Sequence, residues 1–480
     1  MGKADRVVIV GGGLAGLAAG IELLGRGKEV TLFEAGARPG GCCTTTWMGG
    51  YGFNDGAMYV ALPELLDAAF EQLGMDRQAL LPLRQIRSLQ TSRIDDGGAV
   101  AFGAGGRVTF TPAAFGADPT GAQVDVARLV ERWQPLLDLL VKEVIVRPFS
   151  LATLLRKGWR ELPKLRGTVA DELERMVRDP AVRSALGAVT LYTGLAPQRT
   201  PVMQIIGLIA MLADRFYLPE GGMGRIPDVL ASRFESLGGK LHANSRVQRI
   251  LVENGRARGV LTAGADVKAD AVLSTVSGMG TCLHLLDPQV VPSSLRRKAR
   301  NAPLSQKALS IQLGLRTKID TDSHFMARLP RMEDLDALLR PAAGPARWLC
   351  YAVPTVTMPE LAEHGGSIIE CYPGIDQAVA AQEWTVDRAR GIADGVIELL
   401  SRWHSLDIAE IRVRSPREFQ ADLGLYAGAI YGLSPAASAM AHFPHKTSIE
   451  GLFLAGQTTY PGYGVALAML SGIFAARAIQ

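Results

Sequence analysis

A glycine-rich turn near the start of the sequence constrains the fold more than any other feature. Residues 7–10 are all β-branched, which is typical of a buried strand, and residues 14–26 have the pattern of a helix. Gly11, Gly13 and Gly16 lie at the junction between the two. A strand, a glycine turn and a helix in this order predict the first half of a dinucleotide-binding α/β unit.

Each residue type at this junction has a physical role in binding a dinucleotide. Gly11 permits a tight turn, Gly13 lets the backbone approach a pyrophosphate, and Gly16 lets the helix pack closely on the strand. The free N–H groups at the helix N-terminus, those of Leu14 and Ala15, provide positive potential for the phosphates. The junction therefore predicts a pyrophosphate cradle.

A second predicted strand, at residues 29–33, ends at an acidic residue. This residue, Glu34, lies 18 positions beyond Gly16. A carboxylate at the end of that strand can accept hydrogen bonds from ribose hydroxyls. We therefore predict a dinucleotide site, and the alternative is a plain glycine turn that binds no ligand.

The residues after Glu34 favour FAD over NAD. An acid, a short gap, a basic residue and a double glycine resemble the flavin amine oxidase superfamily. Sulfur residues after the double glycine and an Asn-Asp-Gly turn at 54–56 are more similar to its phytoene desaturase, carotenoid isomerase and retinol saturase branch. Amine oxidases proper usually carry Arg where this chain has Cys42. The resemblance implies FAD contacts from Ala35, Arg38, Gly40, Gly41 and Cys42.

Two later stretches carry the same resemblance. Residues 217–276 are similar to a glycine-rich and strand-forming unit of the phytoene desaturase family, which implies a backbone contact between Val247 and the adenine side of FAD. The alternative is that Val247 is only a strand residue. Residues 451–465 are similar to the family's C-terminal motif. That similarity implies that Gly456, Gly464 and Val465 approach the flavin and its phosphates.

The length of 480 residues is too great for one hydrophobic core, so we expect at least two domains. The expected class is α/β. A Rossmann-type, glutathione-reductase-like FAD-binding domain is assembled from separated segments, 1–75, 217–300 and 410–480. An α+β substrate domain with a helical insertion comprises 76–216 and 301–409.

Composition and charge limit the partners and the compartment. A net charge of +4 is too small to indicate nucleic-acid binding. We find no signal peptide and no apolar stretch long enough to span a membrane, and the odd number of cysteines fits a reducing compartment. We therefore expect a cytoplasmic protein. We also find no spacing of side chains that predicts a metal site.

Three segments allow two interpretations each. Residues 142–166 contain seven basic residues among aromatic and leucine side chains. This pattern suits either a segment that contacts anionic lipids on the inner face of the cell membrane or an ordinary amphipathic helix. Residues 202–216 are apolar on nearly all sides, as expected of a core helix or of a tunnel for a long substrate. Cys42 and Cys43 form either a redox pair or simple packing, and strain between adjacent cysteines favours packing.

The candidate catalytic residues come from two turns. Thr459 and Tyr460 lie in the C-terminal turn that is expected to reach the flavin, so we predict that they line its reactive side; turn packing is the alternative. Asp55 is predicted to hold a loop near the isoalloxazine. Few catalytic side chains are expected, because the cofactor carries out the difficult step.

The function that these patterns and the resemblance predict is FAD-dependent dehydrogenation of a long apolar polyene or isoprenoid, such as a carotenoid precursor. A hydride passes from a substrate carbon to flavin N5, and oxygen or a membrane quinone reoxidises the cofactor. Three alternatives stay open. They are a carotenoid-type isomerase or saturase that uses reduced flavin, an amine oxidase that releases hydrogen peroxide, and a flavin- or lipid-binding protein without turnover.

Overall fold

The computed structural model describes residues 5–94, 98–111, 118–329, 335 and 349–480. Within them the strands are β1 Arg6–Val10, β2 Glu29–Phe33, β3 Thr45–Met48, β4 Tyr51–Asn54, β5 Val60–Ala61, β6 Leu83–Gln85, β7 Ser88–Ile94, β8 Ala99–Gly103, β9 Arg107–Thr111, β10 Phe216–Pro219, β11 Lys240–His242, β12 Arg249–Glu253, β13 Arg256–Leu261, β14 Asp266–Lys268, β15 Ala271–Ser274, β16 Ser310–Leu315, β17 Phe325–Leu329, β18 Leu349–Ala352, β19 Ser367–Cys371, β20 Ile408–Arg414 and β21 Leu452–Leu454.

The helices connect and cover these strands. They are α1 Leu14–Gly25, α2 Pro63–Gln72, α3 Arg77–Leu80, α4 Pro119–Leu139, α5 Leu151–Gly158, α6 Val169–Met176, α7 Pro180–Gly187, α8 Ile205–Leu212, α9 Arg225–Ser236, α10 Gly278–Gly280, α11 Ser293–Arg300, α12 Val386–Ser401, α13 Pro416–Leu423 and α14 Val465–Ala478. Within the described ranges, no helix has both the length and the apolar character needed to cross a membrane.

A five-stranded parallel sheet forms the first layer. Its strand order is β11-β2-β1-β15-β21, and the β-branched β1 lies at its centre with Val8 opposite Thr31 and Val272. Helix α1 packs against α9 and α14 on this sheet. A Cβ at Gly472 of α14 would collide with the backbone of Ala15, so the two helices approach as closely as a glycine allows. This is the predicted Rossmann-type layer.

The strands of this sheet come from three distant parts of the chain. Residues 6–33, 240–274 and 452–454 each contribute, which confirms an α/β fold assembled from separated segments. The individual domain boundaries stay a prediction. The boundary at residue 410 falls inside β20, which pairs with β16 in another sheet.

A second, eight-stranded sheet forms the α+β part. Its order is β20-β16-β19-β18-β17-β7-β8-β9, and its pairings are antiparallel except for β17 with β7. Helix α12 begins after Thr385, whose side chain accepts a hydrogen bond from the Arg388 N–H, and packs over the sheet with the buried Trp384. The β3–β4 hairpin connects the layers, because the Asn54 N–H donates to the Glu370 carboxylate on β19 at 2.7 Å.

The expected helical insertion lies between β9 and β10 and comprises α4 to α8. Residues 142–166 do not form one amphipathic helix, because a π-helical turn at Leu140–Val144, the short α5 and a 3-10 turn at Leu162–Leu165 follow one another. Residues 202–216 contain a 3-10 turn at Val202–Gln204 and the eight-residue α8, and Phe216 already begins β10. Helix α8 packs against α4 inside the core.

Candidate functional site

A cavity of about 1270 Å³ opens at the carboxyl ends of the parallel strands. Val10, Phe33, Thr275 and Gly456, which lie at or just after the ends of β1, β2, β15 and β21, line it. Crevices at this edge are where open α/β sheets bind ligands. The volume exceeds the range of about 300–1,000 Å³ that is typical of one small-molecule pocket. The cavity is therefore larger than a pocket for one drug-sized ligand.

The glycine turn forms one wall of this cavity. Gly11 has a φ of +100°, a conformation that L side chains rarely adopt, and its N–H donates to the Phe33 carbonyl at 2.9 Å. A Cβ at Gly16 would collide with the carbonyl oxygen of Gly11, whereas a Cβ at Gly13 would meet no atom within 4 Å. Gly13 therefore presents bare backbone to open space, as a pyrophosphate cradle requires.

The start of α1 has donors available beside this turn. The N-cap, Gly13, has no side chain, so no side chain caps the first turn. Leu14 and Ala15 line the cavity next to Gly11. Uncapped N–H groups at a helix N-terminus attract anions such as phosphates.

Glu34 is held rigidly at the mouth of the cavity. Its carboxylate accepts hydrogen bonds from the Gly12 N–H at 2.7 Å and from the Gly36 N–H at 2.6 Å. A carboxylate has about four lone-pair positions, so two such bonds leave acceptor capacity for hydroxyl groups. Glu34 and Ala35 both line the cavity.

The double glycine lies directly against the first turn. Gly40 forms a bridge with Gly13, and a Cβ at Gly41 would lie 3.4 Å from the Cα of Gly13. Arg38 lines the same wall, and its guanidinium donates to the Thr45 carbonyl at 2.6 Å. Two loops that are separate in the sequence therefore form one continuous surface of backbone.

Cys42 and Cys43 also line the cavity, and both are free thiols. Burial raises the pKa of the Cys42 thiol to about 11 and the pKa of the Cys43 thiol further. The thiolate is the reactive form of cysteine, so both side chains stay protonated and unreactive near neutral pH. This favours the packing interpretation over a redox pair.

Val247 lies two residues after Ser245, whose N–H donates to the Glu34 carbonyl at 2.8 Å. It is buried and lines the cavity, and so does its neighbour Arg246, which donates to the Ala421 carbonyl at 3.0 Å. Arg246 was not predicted as a site residue, and its position next to Val247 was the available signal.

A second uncapped helix N-terminus faces the cavity from the C-terminal part of the chain. Gly464 is the N-cap of α14 without a side-chain cap, and both Gly464 and Val465 line the cavity. Gly456 lies beside them, and its N–H donates to the Ser471 hydroxyl at 3.0 Å. These contacts bring the predicted cofactor residues of both ends of the chain to one cavity; their contacts with a cofactor stay a prediction.

The two candidate catalytic residues of the C-terminal turn lie elsewhere. Neither Thr459 nor Tyr460 is among the described residues that line the cavity. The Thr459 hydroxyl donates to the Gly456 carbonyl at 2.8 Å, and the Tyr460 hydroxyl donates to the Val144 carbonyl at 2.7 Å. These contacts favour the turn-packing interpretation, and a place for either side chain on the reactive side of a flavin stays a prediction.

Asp55, in contrast, does line the cavity. Its carboxylate accepts hydrogen bonds from the Thr44 and Thr46 hydroxyls at 2.6 and 2.8 Å. It also lies 2.5 Å from the Arg412 guanidinium and 3.2 Å from that of Arg414. Asp55 is therefore a buried anchor of its loop, and the nearness of this loop to an isoalloxazine stays a prediction.

A group of aromatic residues that the sequence analysis did not select forms the inner end of the cavity. Tyr431 and Tyr463 have ring centroids 4.6 Å apart, and the Tyr431 hydroxyl donates to the Tyr192 carbonyl at 2.7 Å. Leu191 and Cys350 complete this inner chamber. Tyr463 lies inside the C-terminal motif, so a signal for it existed.

The apolar segment at 202–212 does not contribute to the cavity wall among the described residues. Its buried side chains belong to the main hydrophobic core, which favours the core-helix interpretation over a tunnel. The described part of the chain also contains no group of His, Cys, Asp or Glu residues arranged to hold a metal ion.

Comparisons with known proteins agree with this geometry. A family model described as "Flavin containing amine oxidoreductase" matches residues 14–480. A zeta-carotene-forming phytoene desaturase of Myxococcus xanthus is 25% identical over 97% of this chain and 92% of that protein. A neurosporene-forming phytoene desaturase of Rhodobacter capsulatus is 26% identical over 99% of this chain and 94% of that protein.

Solved structures resemble this chain over its length. The structure of an oxidoreductase from Methanosarcina mazei matches with a TM-score of 0.66 and 16% identity, and the match covers 98% of this chain and 100% of that chain. At this level of identity the likeness concerns the fold.

Proposed function

Because the chain belongs to the flavin-containing amine oxidoreductase family, we propose that it is an FAD-dependent dehydrogenase of a long apolar polyene or isoprenoid. Its relatives named above are phytoene desaturases that align along almost the entire chain. A carotenoid precursor is accordingly the substrate class that we assign.

One observation carries this proposal. A single cavity joins the glycine cradle at Gly13 to the inner chamber around Tyr431, Tyr463 and Cys350. A substrate in the chamber therefore lies next to the cofactor half that extends beyond the cradle. Since the cavity is larger than a cofactor pocket alone needs, it supports binding of both partners at once.

The shape of the cavity supports FAD as the cofactor. The cavity that Gly13 borders is also lined by Glu34 and Val247 and by Cys42, Asp55 and Tyr463. The two halves of a dinucleotide extend in opposite directions from its pyrophosphate. An adenosine beside Glu34 therefore leaves the flavin between the 42–58 loop and the 456–468 segment.

When bound, the flavin supplies a hydride acceptor, so that loss of a hydride and a proton from neighbouring substrate carbons leaves a new double bond. The chain's own residues position the reactants and exclude water. Leu191, Met58 and Cys350 supply apolar walls. Asp55 keeps its loop in place through four side-chain partners.

The direct test is an anaerobic visible spectrum of the purified holoprotein. We expect an oxidised-flavin spectrum that bleaches when phytoene or a shorter polyene is added in detergent or liposomes. Bound flavin that bleaches with simple amines instead would identify an amine oxidase. Conversion that requires pre-reduced flavin would identify an isomerase or saturase, and absence of flavin after reconstitution would contradict the proposal.

We propose further that the protein contacts an anionic membrane surface through the segment around α5. Phe149 and Trp159 are 51% and 60% exposed, which is unusual for aromatic side chains of this size. The Arg160 guanidinium lies 5.3 Å from the Trp159 ring centroid, and Arg156 is exposed nearby. Aromatic and basic side chains in this combination suit the headgroup region of a bilayer.

The position of this surface suits delivery of an apolar substrate. The Phe149 ring packs 5.5 Å from the ring of Tyr460, which lies in the same turn as the cavity residue Tyr463. Flotation with vesicles that contain anionic lipid tests the contact. We expect Trp159→Ala and Arg160→Glu to reduce flotation, whereas Met440→Ala, at an apolar side chain that is 85% exposed elsewhere, does not. Unchanged flotation of both variants would contradict it.

For the electron acceptor we propose oxygen or a membrane quinone. Reoxidation of the substrate-reduced holoprotein by dissolved oxygen and by a soluble quinone, compared in stopped-flow experiments, distinguishes the two. Reoxidation by neither would require a different acceptor.

A further inference from the structure

A buried network of charged and amide side chains lies behind the loop that carries Asp55. Asn54, Gln312 and Glu370 are each no more than 1% exposed. The Glu370 carboxylate accepts hydrogen bonds from the Asn54 N–H at 2.7 Å and from the Gln312 amide at 3.2 Å. Glu370 therefore fixes the backbone immediately before Asp55.

Two arginines complete this network from β20. The Arg412 guanidinium donates to the Gln312 side-chain oxygen at 3.1 Å and pairs with Asp55. The Arg414 guanidinium donates to both the Asp55 carbonyl and the Asp55 carboxylate. The amide of Gln312 thus connects Glu370 to the two guanidinium groups. In the described contacts, neither arginine forms a direct ion pair with Glu370.

We propose that Glu370 is a positioning residue for the bound flavin. It holds the Asn54–Asp55 segment and sets the net charge of the network behind the cavity wall. This inference rests on the proposed flavin site and deepens it. It concerns residues that do not touch a ligand, because Asp55 is the network member that lines the cavity, whereas Glu370 lies behind it.

The charge balance of the network depends on one proton. Asp55 carries one negative charge and the two arginines carry two positive charges. With Glu370 ionised the network is neutral, and with Glu370 protonated it carries one positive charge. In a buried site of low effective dielectric such a difference acts over several ångströms.

Glu370 gains and loses its proton near neutral pH. Burial raises the pKa of Glu370 to about 7, and hydrogen bonds from Asn54 and Gln312 oppose the effect only in part. Other titratable groups around the network stay neutral, because burial raises the pKa of Tyr372, Cys371 and Cys42. Asp422 contacts Arg414 at 3.5 Å, but its side chain is 59% exposed and is screened by solvent.

The sign of the effect follows from this balance. Reduction adds negative charge to the flavin, so a positive network favours the reduced form. Protonation of Glu370 at low pH therefore raises the reduction potential. Ionisation of Glu370 above pH 7 removes this contribution to the reduction potential. The resulting pH dependence adds to the ordinary pH dependence of the cofactor.

The test compares the holoprotein with Glu370→Gln, a neutral side chain of nearly the same shape. Glu398→Gln is the matched control, because Glu398 is 72% exposed on α12. We expect the potential of Glu370→Gln to lie above that of the wild type at pH 8.5 and to approach it at pH 6. The control should follow the wild type throughout, and an equal offset at both pH values, or none, would overturn the inference.

A second measurement needs no variant. The visible spectrum of the oxidised wild-type holoprotein is titrated between pH 5.5 and 8.5. We expect a band shift with a midpoint near pH 7, because the charge behind the flavin half of the cavity changes there. An invariant spectrum overturns this inference alone, whereas a protein that binds no flavin overturns the proposed function as well.

Discussion

The Tyr460 hydroxyl donates a hydrogen bond to the carbonyl oxygen of Val144 at 2.7 Å. This contact joins the C-terminal turn to the π-helical turn at Leu140–Val144, which precedes the exposed aromatic surface around α5. Tyr460 is therefore used to hold two segments together rather than to face the cavity.

Tyr460→Phe should lower the free energy of unfolding by about 1 kcal/mol, since one hydrogen bond is lost and the ring is kept. Urea denaturation measures this change. The flavin spectrum and turnover should stay as in the wild type. Tyr463→Ala, which removes a ring from the cavity wall, should lower kcat/KM instead. A loss of turnover in Tyr460→Phe at unchanged stability would support the catalytic role instead.

Glu34→Gln should weaken flavin binding by about 10- to 100-fold, because one carboxylate oxygen that accepts a backbone N–H becomes an amide donor. Fluorescence titration of the apoprotein with FAD measures the affinity. Glu29→Gln, at the exposed glutamate that begins β2, is the control and should bind normally. Equal affinities for the two variants would place the ribose elsewhere.

Asp55→Asn should destabilise the protein by about 3–5 kcal/mol, because it leaves the buried Arg414 and the half-buried Arg412 without their shared carboxylate. Asp422→Asn removes the exposed partner of Arg414 and should change the stability by about 1 kcal/mol or less. Thermal and chemical denaturation of both variants provide the comparison. A small effect of Asp55→Asn would mean that water or the threonine hydroxyls replace the missing charge.

Stability should also depend on pH through Glu370. Its pKa rises from 4.5 to about 7 in the folded protein because burial disfavours the ionised form. The protonated side chain therefore makes its full contribution to the stability of the folded protein below pH 4.5, and this contribution is lost as the pH rises to about 7. Glu370→Gln, which cannot ionise, should gain stability relative to the wild type across this window. Denaturation curves at pH 5 and pH 7.5 that show a constant difference would contradict this.

The cofactor cradle could be predicted because its signals are local. Gly11, Gly13, Gly16 and Glu34 follow one another along a strand, a helix and a strand, and the physics of the turn dictates each residue type. The separated second cradle at Gly464 was found through its similarity to a family motif. The α/β class followed from the same patterns.

The support behind the cavity wall could not be predicted. Glu370 and Gln312 meet Asn54 across 316 and 258 residues of chain, and no spacing in the sequence indicates such pairings. The side-chain directions of Tyr460 and Tyr463 also escaped prediction. They depend on how the turn bends in three dimensions. Tyr460 was therefore chosen as a cavity residue, whereas Tyr463, three positions later, was not.

The strand order of the parallel sheet has a consequence for biosynthesis. β1 is synthesised before its neighbour β15, which ends at Ser274, and β21 and the second uncapped helix N-terminus follow only at 452–465. At about 5–20 residues per second, a nascent chain holds half a cradle for many seconds. The cavity wall that these distant segments share is therefore complete only once the segment at 452–465 has been synthesised and β21 has paired with β15.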